Sequence, residues 1–297
     1  VNAAKVRSFS AELCESDIPE IGTPGDACVL VPGEGRYAML FGDSHARTLA
    51  SEAKNAFGGT GLGLLQATTT GCPPVKGVYR ADDSNPRECY QHNQQVYDYI
   101  EKNSEIEYVI LSSRWTLGME GSRFDNTEGG VEYGSRPHLD IVEQGELLYH
   151  DGYGHRDAIA RAYSWSIQSL LDAGKKVMLV YPVPEAGWNV PDLIASRYWL
   201  APDSVVDGMT ASTDREVFKD RTARTIEALD RIGADENLVR IYPAELFCDS
   251  YLEGRCVTQK DGVIFYRDDN HLSDAGARLL LQEVISRLNG QAPTTHR

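Results

Sequence analysis

No apolar run in the 297-residue sequence approaches the roughly 18 residues that a membrane-spanning helix needs. Val1 to Ala11 is polar and helix-compatible, without the apolar centre of a secretory signal. Basic residues are scarce: 29 Lys and Arg stand against 44 Asp and Glu, a net charge of −15. That balance argues against nucleic acid or an anionic membrane as the main partner, since both require basic patches. A neutral glycan remains compatible with it. No Cys-x-x-Cys spacing occurs, and His92, His138, His150 and His155 follow no partner pattern, so spacing predicts no metal site. Internal repeats, low-complexity tracts and composition breaks are absent as well, which favours one domain.

The six cysteines fall into local groups, Cys14 with Cys28, Cys72 with Cys89, and Cys248 with Cys256. Three short-range disulfides and an oxidising compartment follow from that grouping. The alternative is six reduced, mostly buried thiols.

Apolar runs alternate with helical patterns. Residues 1–36 form an irregular lead-in broken by Pro19, Gly22, Pro24, Gly25, Pro32, Gly33 and Gly35. Strands are predicted at Tyr37–Phe41, Leu62–Thr69, Tyr108–Ser113, Val177–Tyr181 and Leu238–Tyr242. Helices are predicted over 46–57, 93–103, 155–173, 214–232 and 275–288. The sum is an α/β three-layer sandwich around a roughly five-stranded parallel sheet with right-handed crossovers. One domain spans 37–290, with irregular excursions at 116–154 and 182–212 and a tail at 291–297. The first excursion is too long for a structureless loop and is expected to be hairpin-like.

In such sheets ligands sit at the carboxyl ends of the strands. Ser44, Gly71, Ser113, Arg114, Trp115 and the Pro182 segment all follow strand ends and should share one rim. Ser44 sits where the first strand turns into a helix, and free N–H groups at a helix start favour an anion. Ordinary turn chemistry and helix capping would also explain Gly-Asp-Ser. Some 220 residues later, Asp268-x-x-His271 supplies a carboxylate and an imidazole on one loop. Nucleophilic catalysis by serine needs these groups together with donors for the oxyanion.

Gly42-Asp43-Ser44 and Asp268-x-x-His271 resemble the first and last blocks of the SGNH (GDSL-like) hydrolase superfamily. Gly42-Asp-Ser-His-Ala46, Cys72-Pro-Pro74, Ser113-Arg-Trp115, Pro182-Val-Pro-Glu-x-Gly-Trp188 and Asp268-x-x-His-Leu-Ser273 with Ala275-Gly276 make the resemblance narrower. They are similar to the SGNH domain fused to acyltransferase family 3 membrane proteins, which O-acetylate bacterial surface polysaccharides such as the lipopolysaccharide O-antigen.

The resemblance implies a flavodoxin-like SGNH fold with Ser44 as nucleophile, His271 as general base and Asp268 as orienting carboxylate. Asp269 is the competing carboxylate by proximity. It implies an oxyanion hole from the Ser44 and Gly71 N–H groups. The superfamily's Gly-x-Asn block is missing, and Ser113 or Arg114 is the candidate replacement. Trp115, Trp188 and Asp43 are candidate substrate contacts, as are Tyr198 and Trp199, although such aromatic residues more often close an excursion over a sheet. His45 is expected to bond locally at the helix start.

The implied function is an acetyltransferase domain that passes an acetyl group through an acyl-serine to a glycan hydroxyl. The alternatives are a secreted or periplasmic carbohydrate acetylesterase with the same triad, and a glycan-binding module of weak activity. No bound cofactor is implied. The acetyl donor would come from an acyltransferase family 3 membrane domain, N-terminal to this chain or a separate protein. That puts the chain in the bacterial periplasm, tethered to the inner membrane.

Overall fold

A computed structural model describes residues 28–200 and 211–290. Its centre is a six-stranded sheet in the order β1-β3-β2-β5-β8-β10. These strands are β1 (Cys28–Val31), β2 (Tyr37–Gly42), β3 (Gly63–Thr68), β5 (Ile106–Ser112), β8 (Lys176–Val180) and β10 (Leu238–Ile241). All the pairings are parallel except β1 with β3. The five expected strands are thus present in the flavodoxin-like order. The sixth corrects the reading of an irregular lead-in, because Cys28-Val-Leu-Val31 adds an antiparallel edge that makes the sheet mixed.

Strand alternation explains the layers. Met39 and Phe41 of β2, Val109 and Leu111 of β5, and Val177 and Leu179 of β8 enter one core. There they meet α2 (Arg87–Lys102), α4 (Gly152–Asp172) and the helix Arg215–Asp230. Ala38, Leu40, Ile110, Met178 and Val180 enter the other, under α1 (Ser44–Phe57) and the last helix, Asp274–Leu288. With both faces covered, the strands read as continuous apolar runs. Each fully buried Leu, Met or Phe contributes about 1.5–3 kcal/mol.

The excursions have structure of their own. The first begins with α3 (Trp115–Glu120) and ends in the antiparallel pair β6 (Leu139–Glu143) and β7 (Glu146–Leu147). β6 also pairs with β4 (Val78–Arg80), which precedes α2. The second carries α5 (Val190–Leu200), and its residues 201–210 lie outside the described ones. Short strands β9 (Ser212–Asp214) and β11 (Arg255–Val257) pair beside the helix Arg215–Asp230, here α6. A single turn, α7 (Ala244–Phe247), and the hairpin β12–β13 (Gln259–Lys260, Val263–Ile264) lead to the last helix, α8.

Disulfides join Cys72 to Cys89 and Cys248 to Cys256. The Cys14–Cys28 pairing lies outside the described residues. No helix among the described residues is long and apolar enough to cross a membrane.

Candidate active site

The site is built at the carboxyl end of β2, where the strand order reverses. Only glycine fits at position 42, because a Cβ there would run into the Ser112 carbonyl oxygen of β5 and the Ala46 side chain. Asp43 then caps α1, its Oδ1 accepting the His45 N–H at 2.8 Å. Ser44 follows as the first helical residue. Its own N–H, free of any intrahelical partner at that position, finds no acceptor among the described residues.

The Asp268–His271 loop delivers the other two groups. His271 Nε2 lies 2.7 Å from Ser44 Oγ, and His271 Nδ1 lies 2.8 Å from Asp268 Oδ2. Asp268 Oδ1 also accepts the N–H groups of Asn270 and His271, which folds the loop around the carboxylate. Burial alone would raise this carboxyl. The bond and charge of His271, with the two N–H donors, outweigh burial and hold Asp268 well below the usual carboxylate range.

The competing carboxylate behaves differently. Asp269 accepts a bond from the Asn270 side-chain amide, and its carbonyl oxygen takes the N–H groups of Ala186 and Gly187. Burial, then the charges of Glu132 and Asp268, push it up.

The Pro182–Pro191 segment holds that loop in place. Val190 N–H donates to the Asp268 carbonyl oxygen, and the Tyr266 hydroxyl donates to that of Pro184. Asn126, fully buried, donates its side-chain amide to Ala186 O at 2.7 Å. From the Ser44 side, His45 Nε2 lies 3.1 Å from Asn270 Oδ1. Burial, then the nearby charges of His271 and Arg114, press the His45 pKa down to about 3, so this ring is neutral. Asn126 and Asn270 carry no recognisable sequence pattern, since each acts through a contact made only in the folded chain.

Several expected roles are corrected. Ser113 Oγ donates to Asp43 Oδ2 at 2.7 Å, and the Arg114 N–H donates to the same oxygen at 2.9 Å. Both are therefore engaged in tying β5 to the α1 cap and do not replace the missing oxyanion asparagine. Asp43 is buried behind Ser44 with all three donors on it, so it is not a substrate contact. Burial raises its carboxyl, against the pull of those donors. Trp115 is also a core residue. It is 1% exposed, donates its indole N–H to Val180 O at 2.9 Å and meets Tyr163 edge-on.

Trp188 is half-buried over Gly130. Trp199 is exposed, and the Tyr198 side chain lies outside the described residues. Gly71 adopts φ +70° in the turn after β3, where a Cβ would strike the Arg80 guanidinium. Thr69 N–H donates to Gly42 O at 3.1 Å, which stitches that turn to the end of β2.

Arg114 organises a buried ion network beside the triad. Its guanidinium donates to Glu185 and, through two nitrogens, to Glu132. Arg221 also donates to Glu185, and Arg123 to Glu132. Burial opposes the Arg114 charge, but Glu185 and Glu132 outweigh it and hold the guanidinium more firmly protonated than usual. Burial likewise works against the Glu132 charge, and Arg114 and Arg123 bring its pKa down to about 2. Both ends of the Arg114–Glu185 pair stand in quoted motifs, Ser113-Arg-Trp115 and Pro182-Val-Pro-Glu185. That joint presence was the sequence signal for it.

The likeness to solved structures follows the fold. The periplasmic domain of a lipopolysaccharide acetyltransferase from Salmonella ser. Paratyphi A superposes with a TM-score of 0.58 at 16% identity. That match covers 87% of this chain and 85% of the other. A putative acylhydrolase from Bacteroides fragilis NCTC 9343 gives a TM-score of 0.40 at 11% identity, over 91% of each chain. No curated protein matches the chain. The family described as "SGNH domain (fused to AT3 domains)" matches residues 13–286. A match over nearly the whole length makes this chain a member of that SGNH domain family.

Proposed function

We propose that this domain is an O-acetyltransferase that carries an acetyl group, as an ester on Ser44, to a hydroxyl of a bacterial surface polysaccharide. The observation that carries the reading is the hydrogen-bonded series Ser44 Oγ, His271 Nε2, His271 Nδ1, Asp268 Oδ2. In the first half-reaction His271 Nε2 takes the Ser44 hydroxyl proton as Oγ attacks the acetyl carbonyl. Asp268 holds the Nδ1–H tautomer and stabilises the imidazolium that forms. The Ser44 N–H receives the oxyanion, with the Gly71 N–H as the second donor of this reading. The leaving oxygen collects the proton from Nε2. In the second half-reaction a sugar hydroxyl gives its proton to Nε2 as its oxygen attacks the acetyl-serine carbonyl, and Nε2 returns that proton to the departing Ser44 Oγ.

The AT3 fusion of the family and the periplasmic setting of the Salmonella domain support a membrane-derived acetyl donor and a periplasmic location. The Cys72–Cys89 and Cys248–Cys256 disulfides are compatible with that compartment.

Hydrolysis uses the same atoms, and one observation favours it as a second activity. The His271 side chain is 18% exposed and that of Asp268 32%, so water can reach the base. The test supplies p-nitrophenyl acetate as donor, with and without oligosaccharides from surface polysaccharides, and follows O-acetylated product by mass spectrometry. Acetylated glycan that disappears in Ser44→Ala, with a rate loss of at least about 10³-fold, is expected. Hydrolysis alone, whatever the glycan, makes the domain an esterase. Equal rates in Ser44→Ala remove both enzymatic readings and leave a glycan-binding module.

A further inference from the structure

Away from Ser44, His271 and Asp268, the end of the first excursion and the start of α4 bring together two imidazoles and a carboxylate. His138 immediately precedes β6, Asp140 lies within it, and His155 stands in the first turns of α4. One ligand atom from each falls within 4.8 Å of the others. His138 Nε2 is already 3.6 Å from Asp140 Oδ2. Tetrahedral zinc with bonds of about 2.0–2.1 Å sets its ligands roughly 3.3 Å apart, so small side-chain rotations close the set.

The hydrogen bonding points the same way. His155 is 6% exposed, and its Nε2 lies 3.2 Å from Gly118 O of α3. Donation there leaves a lone pair on Nδ1, which has no partner among the described residues. His138 Nε2 is likewise buried and makes no hydrogen bond among the described residues. Buried polar atoms of this kind are rarely left unmatched, and here two of them converge on one fully buried carboxylate. Around the cluster, His150 Nδ1 lies 2.7 Å from Asp140 Oδ1, and the His150 N–H also donates to that carboxylate. A ligating imidazole whose other nitrogen is held by a carbonyl, and a carboxylate oriented by a neighbour, are the outer contacts of metal sites.

We infer that His138, Asp140 and His155 form a site for a divalent transition-metal ion of the zinc type, with water as the fourth ligand. Two nitrogens and one carboxylate oxygen suit zinc better than magnesium or calcium, which prefer oxygen-only shells. Its role is structural: the ion fastens β6 to α4 and, through His155, to the carbonyl of Gly118. Sequence spacing does not reveal such a site, because packing of β6 on α4 assembles it.

The test uses the untagged, disulfide-intact chain, stripped with chelator and dialysed against micromolar zinc chloride. Bound metal is counted by mass spectrometry, and thermal unfolding is followed with and without zinc. One zinc per chain and a higher unfolding temperature are expected. His138→Ala, a partly exposed position, and His155→Ala should each weaken binding by at least about tenfold, whereas His271→Ala should retain one equivalent. Cobalt in place of zinc should give the visible bands of a tetrahedral site. Substoichiometric zinc with no thermal shift in the wild-type chain overturns the inference, whatever the variants do. Unchanged binding in folded His138→Ala and His155→Ala also overturns it, and loss in His271→Ala would move the ion to the triad.

Discussion

Replacing Asp43 by asparagine tests how Ser44 is held. The carboxylate accepts three donors: the His45 N–H on Oδ1, and the Ser113 hydroxyl and Arg114 N–H on Oδ2. Asparagine keeps one acceptor oxygen. Whichever way its amide turns, an NH₂ faces either the His45 N–H or the Arg114 N–H, while Ser113 can rotate and become an acceptor. One buried donor is then left without a partner, a loss of about 1–3 kcal/mol. At roughly 2–4 °C per kcal/mol for a large domain, unfolding should move down by about 2–12 °C. The displaced cap also shifts Ser44 relative to His271, and a misplacement near 1 Å costs about 10²-fold in rate. Scanning calorimetry and ester hydrolysis with p-nitrophenyl acetate are the assays. Lower stability and lower kcat at unchanged KM are expected. An unfolding temperature equal to wild type with only KM raised would refute the argument and return Asp43 to the substrate contacts.

Three further outcomes follow from the same contacts. Arg114→Met leaves Glu132 and Glu185 buried with incomplete compensation, so urea unfolding should register a loss of about 3–5 kcal/mol; lysine should not restore it, since one ammonium cannot fork to two carboxylates. The Cys72→Ser/Cys89→Ser double variant opens a loop of separation 17, and denaturant titration should show about 3 kcal/mol less stability. His45, neutral when folded with a pKa of about 3, takes up a proton in the unfolded chain below its ordinary value near 6.5. Stability is therefore lost as pH falls from 6.5 towards 3, and between pH 6.5 and 5 urea titrations should find wild type losing about 2 kcal/mol more than His45→Gln.

The five parallel strands were legible because helices cover both faces, which leaves unbroken apolar runs such as Tyr37–Phe41 and Tyr108–Leu111. Cys28–Val31 escaped because four residues between Gly and Pro punctuation carry too little pattern to separate an edge strand from a loop. Asp268 and His271 were legible as a pair because three residues of one loop bring them together. Ser113, Arg114 and Trp115 were read from their position after a strand end, which does not say where a side chain turns. Ser113 and the Arg114 N–H turn back onto Asp43, and Trp115 turns into the core. Glu132 could not be paired with Arg114 from sequence, because the first excursion has to fold over the sheet before the two meet.

The most direct test of the account is to look for the acetyl group on Ser44. The wild-type chain, mixed with p-nitrophenyl acetate and quenched in acid within the first turnover, is digested and its peptides are mapped by mass spectrometry. One acetyl group on the peptide carrying Ser44 is predicted, removed by an added glycan acceptor and missing from Ser44→Ala and His271→Ala. Turnover at an undiminished rate in Ser44→Ala, or acetyl on another residue with Ser44 untouched, would contradict it.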